Sequence, residues 1–319
     1  MRLRFFIVAA VVLALFSRCE DNSDGNYSNT EIVLDNAQAV MYFHTVFCEA
    51  ENIWALADSK GYVEFEDFFQ QSEGYKEVTA VVTEKYDEDG IELLSVENTV
   101  TVTYHEWISN KLKLTGEISV VFLAGSYRKQ NETARATLNN LFIENQNVTG
   151  VSTVQYRNVP KVKEDDEEDD GDDEEEEEEE ENDIYHFSLL DGASIREAGR
   201  RAGGMPVLLT ASIRNGSYER VAGGATLSAD DDVWKYWGVM SGILRNRPTM
   251  RYTNTISERM NIDGTQVDFA IYFDGGCPIT VMHNISGFST ITISGHSDIF
   301  YQFRCDRVYF ETETHNIRD

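Results

Sequence analysis

The chain has 319 residues and a formal net charge of -29, from 56 acidic against 27 basic side chains. A balance this acidic excludes nucleic acid as a partner, because phosphates are met by Lys and Arg, and it excludes adhesion to anionic lipid through charge. No HExxH, GxSxG, GxGxxG, Walker loop or CxxC occurs, so no motif points to a metalloprotease, a nucleotide site, a zinc ribbon or a thioredoxin-type centre.

Residues 1–18 read as a targeting segment. Arg2 and Arg4 precede an apolar run from Phe5 to Phe16. The run is about a dozen residues, too short for a spanning helix of roughly 20 and within the 7–15 of a signal h-region. Cys19 follows, and then Glu20, Asp21 and Asp24. Leu15-Phe16-Ser17-Arg18-Cys19 reads as a lipobox, with Leu15 and Cys19 in place and Arg18 where a small residue is usual. The expectation is a signal peptide over 1–18, a lipidated Cys19 and a flexible tether over 19–34. The alternative is an ordinary cleaved signal. Acyl chains hold firmly, since each buried CH₂ contributes about 0.8 kcal/mol.

A helix is predicted over 36–60. Asp35 can cap it, with Gln38 three residues on; no Pro or Gly interrupts it, and Gly61 follows as a stop. Val40, Met41, His44, Phe47, Cys48, Trp54 and Ala55 share one face at 3.6-residue spacing, and Tyr42, Val46, Ile53 and Leu56 make the opposite side apolar too. Only Thr45, Glu49 and Asn52 form a polar strip. A helix of this kind is wrapped by sheet rather than laid on it.

After Gly61 the texture is β. Segments 78–82, 100–104, 118–123, 151–156, 207–213 and 288–293 are rich in Val, Ile, Thr, Phe and Tyr. Asp89-Gly90, Asp191-Gly192, Asn215-Gly216, Asp263-Gly264 and Asp274-Gly275 suit hairpin turns. An aliphatic–hydroxyl–glycine triplet recurs at Leu114-Thr115-Gly116, Val148-Thr149-Gly150, Met240-Ser241-Gly242 and Ile285-Ser286-Gly287. There glycine permits a bulge or a close backbone approach. The predicted fold is mainly β: a hairpin-rich antiparallel curved sheet or sandwich around one long N-terminal helix, occupying 35–319 in one lobe or two. Residues 164–181 are 17 acids and Gly171. Such a run repels itself and buries nothing, so 161–183 is expected to be a disordered loop between two paired strands.

Candidate chemistry is thin. His44, Cys48 and Glu51 share a helix face at spacings of four and three, which suits Zn²⁺ in principle. Because that face is the apolar stripe, a core histidine beside a buried thiol is the better reading, with Glu51 in need of a partner. No metal ion or cofactor is assigned. Asp231, Asp232, Trp234, Tyr236 and Trp237 form the best binding cluster, since aromatics stack on sugar rings while carboxylates accept hydroxyl protons. In a strand, Trp234 and Tyr236 share one face and Trp237 takes the other, so at most one face is a platform, and core packing competes for both. Cys277 and Cys305 flank the last two strand-like segments and form a candidate disulfide or reduced pair.

Cys19 followed by acids, together with Cys277, Ile285-Ser286-Gly287, Asp298-Ile299-Phe300 and Cys305, resembles surface lipoproteins of unknown function from Bacteroidota. The resemblance implies an outer-membrane, cell-surface location, because acids after the lipid cysteine go with surface export in that phylum. It implies a β-rich architecture and supplies no catalytic residue. Two function classes remain: a non-catalytic envelope lipoprotein that binds a glycan or a protein, and a carboxylate-dependent surface hydrolase such as a glycoside hydrolase.

Overall fold

The computed structural model describes residues 29–144, 146–160, 181–189, 194–200, 206–222, 232–244, 247–257, 260–262, 265–267, 270–273, 285–293, 295–305, 307–311 and 313–316. Its first element is the helix α1 (Asn29–Ser59), which begins at Asn29 rather than at Asn36. Asp35 is therefore not a cap but a buried residue within the helix, and 29–34 are helical rather than tether. The reason is burial: Ile32 and Val33 extend the apolar surface by another turn, and no Gly or Pro intervenes. The stop falls where expected. Gly61 takes φ +74, its N–H bonds the Asp58 carbonyl at 2.9 Å and the Tyr62 N–H bonds the Ala57 carbonyl at 2.9 Å, the bond pattern of a Schellman cap.

Of the 31 residues of α1, 22 are buried. Two of the three residues of the expected polar strip are buried as well: Thr45 and Glu49 are inaccessible, while Asn52 is half-buried. Thr45 donates to the Met41 carbonyl at 3.0 Å and Asn36 to the Ile32 carbonyl at 2.8 Å, so the helix itself satisfies part of its interior polarity.

The strands are β1 (Phe65–Gln70), β2 (Tyr75–Tyr86), β3 (Leu93–Ser109), β4 (Leu112–Leu123), β5 (Thr133–Ile143), β6 (Gln146–Pro160), β7 (Glu181–Leu189), β8 (Ser194–Arg200) and β9 (Pro206–Ala222). They continue as β10 (Val233–Leu244), β11 (Arg247–Ile256), β12 (Met260–Ile262), β13 (Thr265–Val267), β14 (Ile271–Phe273), β15 (Ile285–Ile293), β16 (Ile299–Cys305), β17 (Arg307–Phe310) and β18 (Glu313–Asn316). All but β12 and β13, which pair with each other, belong to one antiparallel 16-stranded sheet. The mainly β architecture around one helix is the one expected. Chain neighbours pair from β1 to β7. The long strands β6 and β9 are then bridged by two shorter ones: β7 bonds residues 152–160 of β6 and β8 bonds residues 146–148. The device recurs between β10 and β15, bridged by β11 over one stretch and β14 over the other. The β6–β7 pairing runs out to Pro160 and Glu181, so residues 181–183, expected in the disordered loop, are strand instead, held by the ladder to β6; residues 161–180 lie outside the described residues.

Alternation sets the inner face. Val100, Val102 and Tyr104 of β3, Ile118, Val120 and Phe122 of β4, and Ile299, Tyr301 and Phe303 of β16 are all buried, at the period of two that a strand imposes. The middle of the helix and its C-terminal part meet different parts of the sheet. Trp54 packs on Phe122 and Tyr127, whereas His44 and Phe47 pack on Phe273, Tyr218 and Trp234.

To surround a helix the sheet has to bend, and glycines opposite bulges bend it. β3 has an extra-residue irregularity between Tyr104 and Trp107, with Glu106 at φ 54, and β5 has one between Leu138 and Leu141, with Asn140 at φ 47. Between them lies Gly116 at φ +112, where a Cβ would stand 2.1 Å from the Asn140 carbonyl oxygen. Gly287, at φ +133, meets the Ala270 carbonyl oxygen at 2.2 Å in the same way. Bulges bend a strand and sharpen its twist; aligned across neighbours they curve the sheet coherently. Three of the four triplets noted in the sequence thus end in a positive-φ glycine, Gly150 being the third.

Turn signals divide. Asp89-Gly90 is a turn, with Gly90 at φ +71. Asn215-Gly216 is not: it lies inside β9, where two residues oppose Gly238 in a bulge. A Cβ on Gly238 would sit 2.8 Å from the Gly216 Cα, so this glycine serves close strand approach and not chain reversal. Asp191-Gly192, Asp263-Gly264 and Asp274-Gly275 fall outside the described residues.

Gly116→Ala is expected to lower unfolding stability by at least about 2 kcal/mol, through strained φ plus collision with backbone. Gly90→Ala, also at positive φ but with nothing within 4 Å, should cost only about 1 kcal/mol. Urea unfolding of both variants checks the contrast; equal losses would show that the Gly116 contact does not set the bend.

Candidate functional site

Three carboxylates of α1 are buried, Asp35, Glu49 and Glu51, and the two glutamates draw partners from the sheet. Glu49 is inaccessible. The Tyr104 hydroxyl donates to its Oε2 at 2.6 Å and the Lys76 Nζ stands 3.6 Å from the same oxygen. Lys76 lies 4.5 Å over the Trp107 ring and within 6 Å of the Phe69 and Tyr104 rings, so its charge is shared between a carboxylate and aromatic faces. Glu51 accepts from the Tyr127 hydroxyl at 2.8 Å and lies 3.6 Å from the Arg128 guanidinium, which supplies the partner its burial demands. Burial, and then the Glu51 charge, raise the Tyr127 phenol well above its ordinary range. A lone buried carboxylate is strongly destabilising, and a hydrogen-bonded, charge-compensated one is tolerated.

The third face of α1 carries His44. Its ring stacks on Phe273 at 3.5 Å and 5°, and its Nε2 is 3.5 Å from the Cys48 Sγ. Burial lowers its pKa from 6.5 to about 3, so the imidazole is neutral at physiological pH. His44 and Cys48 are brought together, while the Glu51 carboxylate is engaged with Tyr127 and Arg128. Among the described residues no group of three His, Cys, Asp or Glu is placed to hold a metal ion.

The aromatic cluster of β10 divides by face as strand geometry requires. Trp234 and Tyr236 point inward and are fully buried. Trp234 meets the Phe47 ring edge-on at 4.9 Å, and Tyr236 tilts against Tyr218 at 4.7 Å. Neither is a stacking platform; both fill the space between sheet and helix, because α1 already occupies that side. Asp232 is buried and stands 3.9 Å from Arg220; Asp231 lies outside the described residues. Only Trp237 faces outward, half-buried. Beside it Lys235 lies 5.4 Å over its ring and 3.8 Å from Glu219. The outer face of β9 and β10 thus carries a half-buried indole beside an ion pair whose side chains are 12% and 15% exposed.

Cys305 ends β16 with a thiol, as does Cys48 within α1. Cys277, and with it the pairing proposed for it, lies outside the described residues, as does Cys19. No described helix is long and apolar enough to cross a membrane. Sequence reasoning missed Lys76, Tyr104, Tyr127 and Arg128. Its one usable signal was a carboxylate in an apolar stripe, which shows that a partner exists without showing where it sits.

Comparison with protein-family models, with characterised proteins and with solved structures finds no match, so the functional reading rests on the residues themselves.

The displaced His44 pKa makes stability depend on pH. Unfolded, the imidazole takes a proton below about 6.5; folded, only below about 3. Its contribution is full above pH 6.5, falls as pH drops because the unfolded state binds the extra proton, and levels off below about 3. Between pH 6.5 and 5 the wild type should lose about 2 kcal/mol more than His44→Phe, which keeps the ring stack but does not titrate. Urea unfolding at the two pH values measures the difference; equal losses would mean that the ring takes up its proton while folded.

Proposed function

We propose that this chain is a lipid-anchored protein of the outer membrane, exposed at the cell surface, that acts by binding a glycan or a protein ligand. One observation carries the binding reading: the concave side of the sheet is filled by α1, so contact with a ligand falls to the outer surface. The interior groups that could do chemistry are engaged with one another: Glu49 with Tyr104 and Lys76, Glu51 with Tyr127 and Arg128, His44 with Cys48 and Phe273. On the outside, Trp237 with Lys235 and Glu219 pairs an apolar ring with a donor and an acceptor, the combination that suits a sugar or a polar peptide. The basic, apolar, cysteine order of residues 2–19 supports the anchor.

Cys19→Ala should move the protein from the membrane fraction to the soluble one; retention in the membrane would remove the lipid anchor from the proposal. In a panel of surface glycans and peptides, the wild type should bind without turnover, and Trp237→Ala should weaken that binding at least about tenfold. Product formation from any panel member would replace the binding reading by the hydrolase one.

A further inference from the structure

Exposed large apolar side chains gather at one place. The tip of the hairpin joining β2 to β3 carries Tyr86, Ile91, Leu93 and Leu94, while Val81 and Leu123 lie further along, on the face opposite Tyr86. Ile91 is 82% and Leu94 63% exposed. Single exposed apolar residues are ordinary, but a contiguous group marks a contact surface. Tyr86 and Leu93 are cross-strand partners, and Leu123 pairs with Glu97 on the neighbouring strand. Leu94 is the extra residue of a bulge, since Lys85 pairs with Ser95 and Tyr86 with Leu93. The bulge interrupts the alternation, and both leucines are left in solvent.

The tip is built rather than frayed. Asp87 Oδ1 accepts the N–H of Ile91 at 2.7 Å and that of Glu92 at 3.2 Å. The Asp87 N–H bonds the Glu92 carbonyl at 2.9 Å and the Gly90 N–H the Asp87 carbonyl at 3.0 Å. Ile91 is therefore presented in a defined place, which reduces the ordering entropy lost on association.

Its position is also informative. Along β3, Tyr104 lies beside Glu49, and Asn98 lies opposite Phe122, which packs on Trp54. Moving from Tyr104 toward Leu93 thus follows α1 toward its C-terminus, and the tip continues beyond it. Residues 1–28 attach at the other end of a helix about 46 Å long.

Charge narrows the partner. Between residues 84 and 97, Glu84, Asp87, Glu88, Asp89, Glu92 and Glu97 stand against Lys85 alone, and Lys85 is bonded to Glu97 at 2.8 Å. An apolar centre with an acidic rim repels a second copy of itself and anionic lipid, and it complements a chain in which apolar residues alternate with Lys and Arg.

We propose that the β2–β3 hairpin is a docking site for a cationic amphipathic polypeptide segment, whose apolar side chains cover Ile91, Leu93 and Leu94 while its cations meet the acidic rim. The proposal rests on the reading that the chain acts by binding from its outer surface, and names the partner class.

The test uses the full chain in detergent and a short fluorescent amphipathic Leu/Lys peptide, read by anisotropy at low and high salt. Ile91→Ser/Leu94→Ser should weaken binding at least about tenfold. Glu88→Gln/Glu92→Gln should weaken it several-fold and flatten its salt dependence. These positions are exposed, so both variants should keep the wild-type thermal midpoint. Equal affinity of wild type and both variants would overturn the proposal, because the peptide is then held elsewhere, as by residues 164–181. Binding of wild type to phosphatidylcholine vesicles, lost in the serine variant, would overturn it in favour of a bilayer. Glycan turnover would remove the binding reading while leaving the hairpin affinities unchanged, so the two fail separately.

Discussion

Everything in this fold follows from the need to enclose a 31-residue helix that is apolar nearly all round and carries three buried carboxylates. Water cannot be left on any side of α1 without exposing Phe43, Phe47, Trp54 or their neighbours, all fully buried. A flat sheet covers one side of a helix only. The sheet therefore curls, and the contact of Gly116 with the bulge opposite it and the close approach of Gly287 to the Ala270 carbonyl are the local means by which a hydrogen-bonded ladder turns a corner without breaking. The same enclosure explains why the charges of Glu49 and Glu51 had to find Lys76, Arg128 and two tyrosine hydroxyls: once water is excluded, only the sheet can supply counter-charge and donors.

The helix also sets the order of assembly. It is the first element of the described chain, yet its partners extend from β3 to β17. The middle of α1, at His44 and Phe47, meets rings from β9, β10 and β14, and Glu49, Glu51 and Trp54 beyond it meet β3, β4 and the loop after β4. Neither part of the sheet can bury the helix alone, so stability is pooled across the chain. Contacts so distant in sequence pay loop-closure entropy before they gain burial, and folding by this topology is intrinsically slow.

Filling the concave side leaves function to the outside. The indole of Trp237, framed by Lys235 and Glu219, and the rigid apolar tip of the β2–β3 hairpin lie on outward surfaces. They differ in character: the first is a small amphipathic patch on a strand face, the second an overhanging ribbon with solvent on both faces. A two-stranded ribbon without a covering layer is only marginally stable in water, and it is the Asp87 side chain, bonded to two backbone amides, that gives this one a defined tip.

The sequence by itself determined the helix and its enclosure, because an apolar surface on every side of a 3.6-residue period admits no other outcome. It likewise determined strand locations, since segments such as 100–104 and 118–123 alternate at the strand period, and the Gly61 stop, which depends only on local φ. What it left open were matters of distance. Asn215-Gly216 has the chemistry of a turn and is a bulge, because Gly238 on the next strand needs that space. Asp35 has the chemistry of a cap and is interior, because Ile32 and Val33 find a core to enter. Trp234 and Tyr236 have the chemistry of a sugar platform and are core, because the helix lies against their face and not against that of Trp237. The partners of Glu49 and Glu51 were invisible for the same reason: a buried charge is felt through a few ångströms of space, and residues 27 to 77 positions away along the chain are placed within that range only when the sheet closes around the helix.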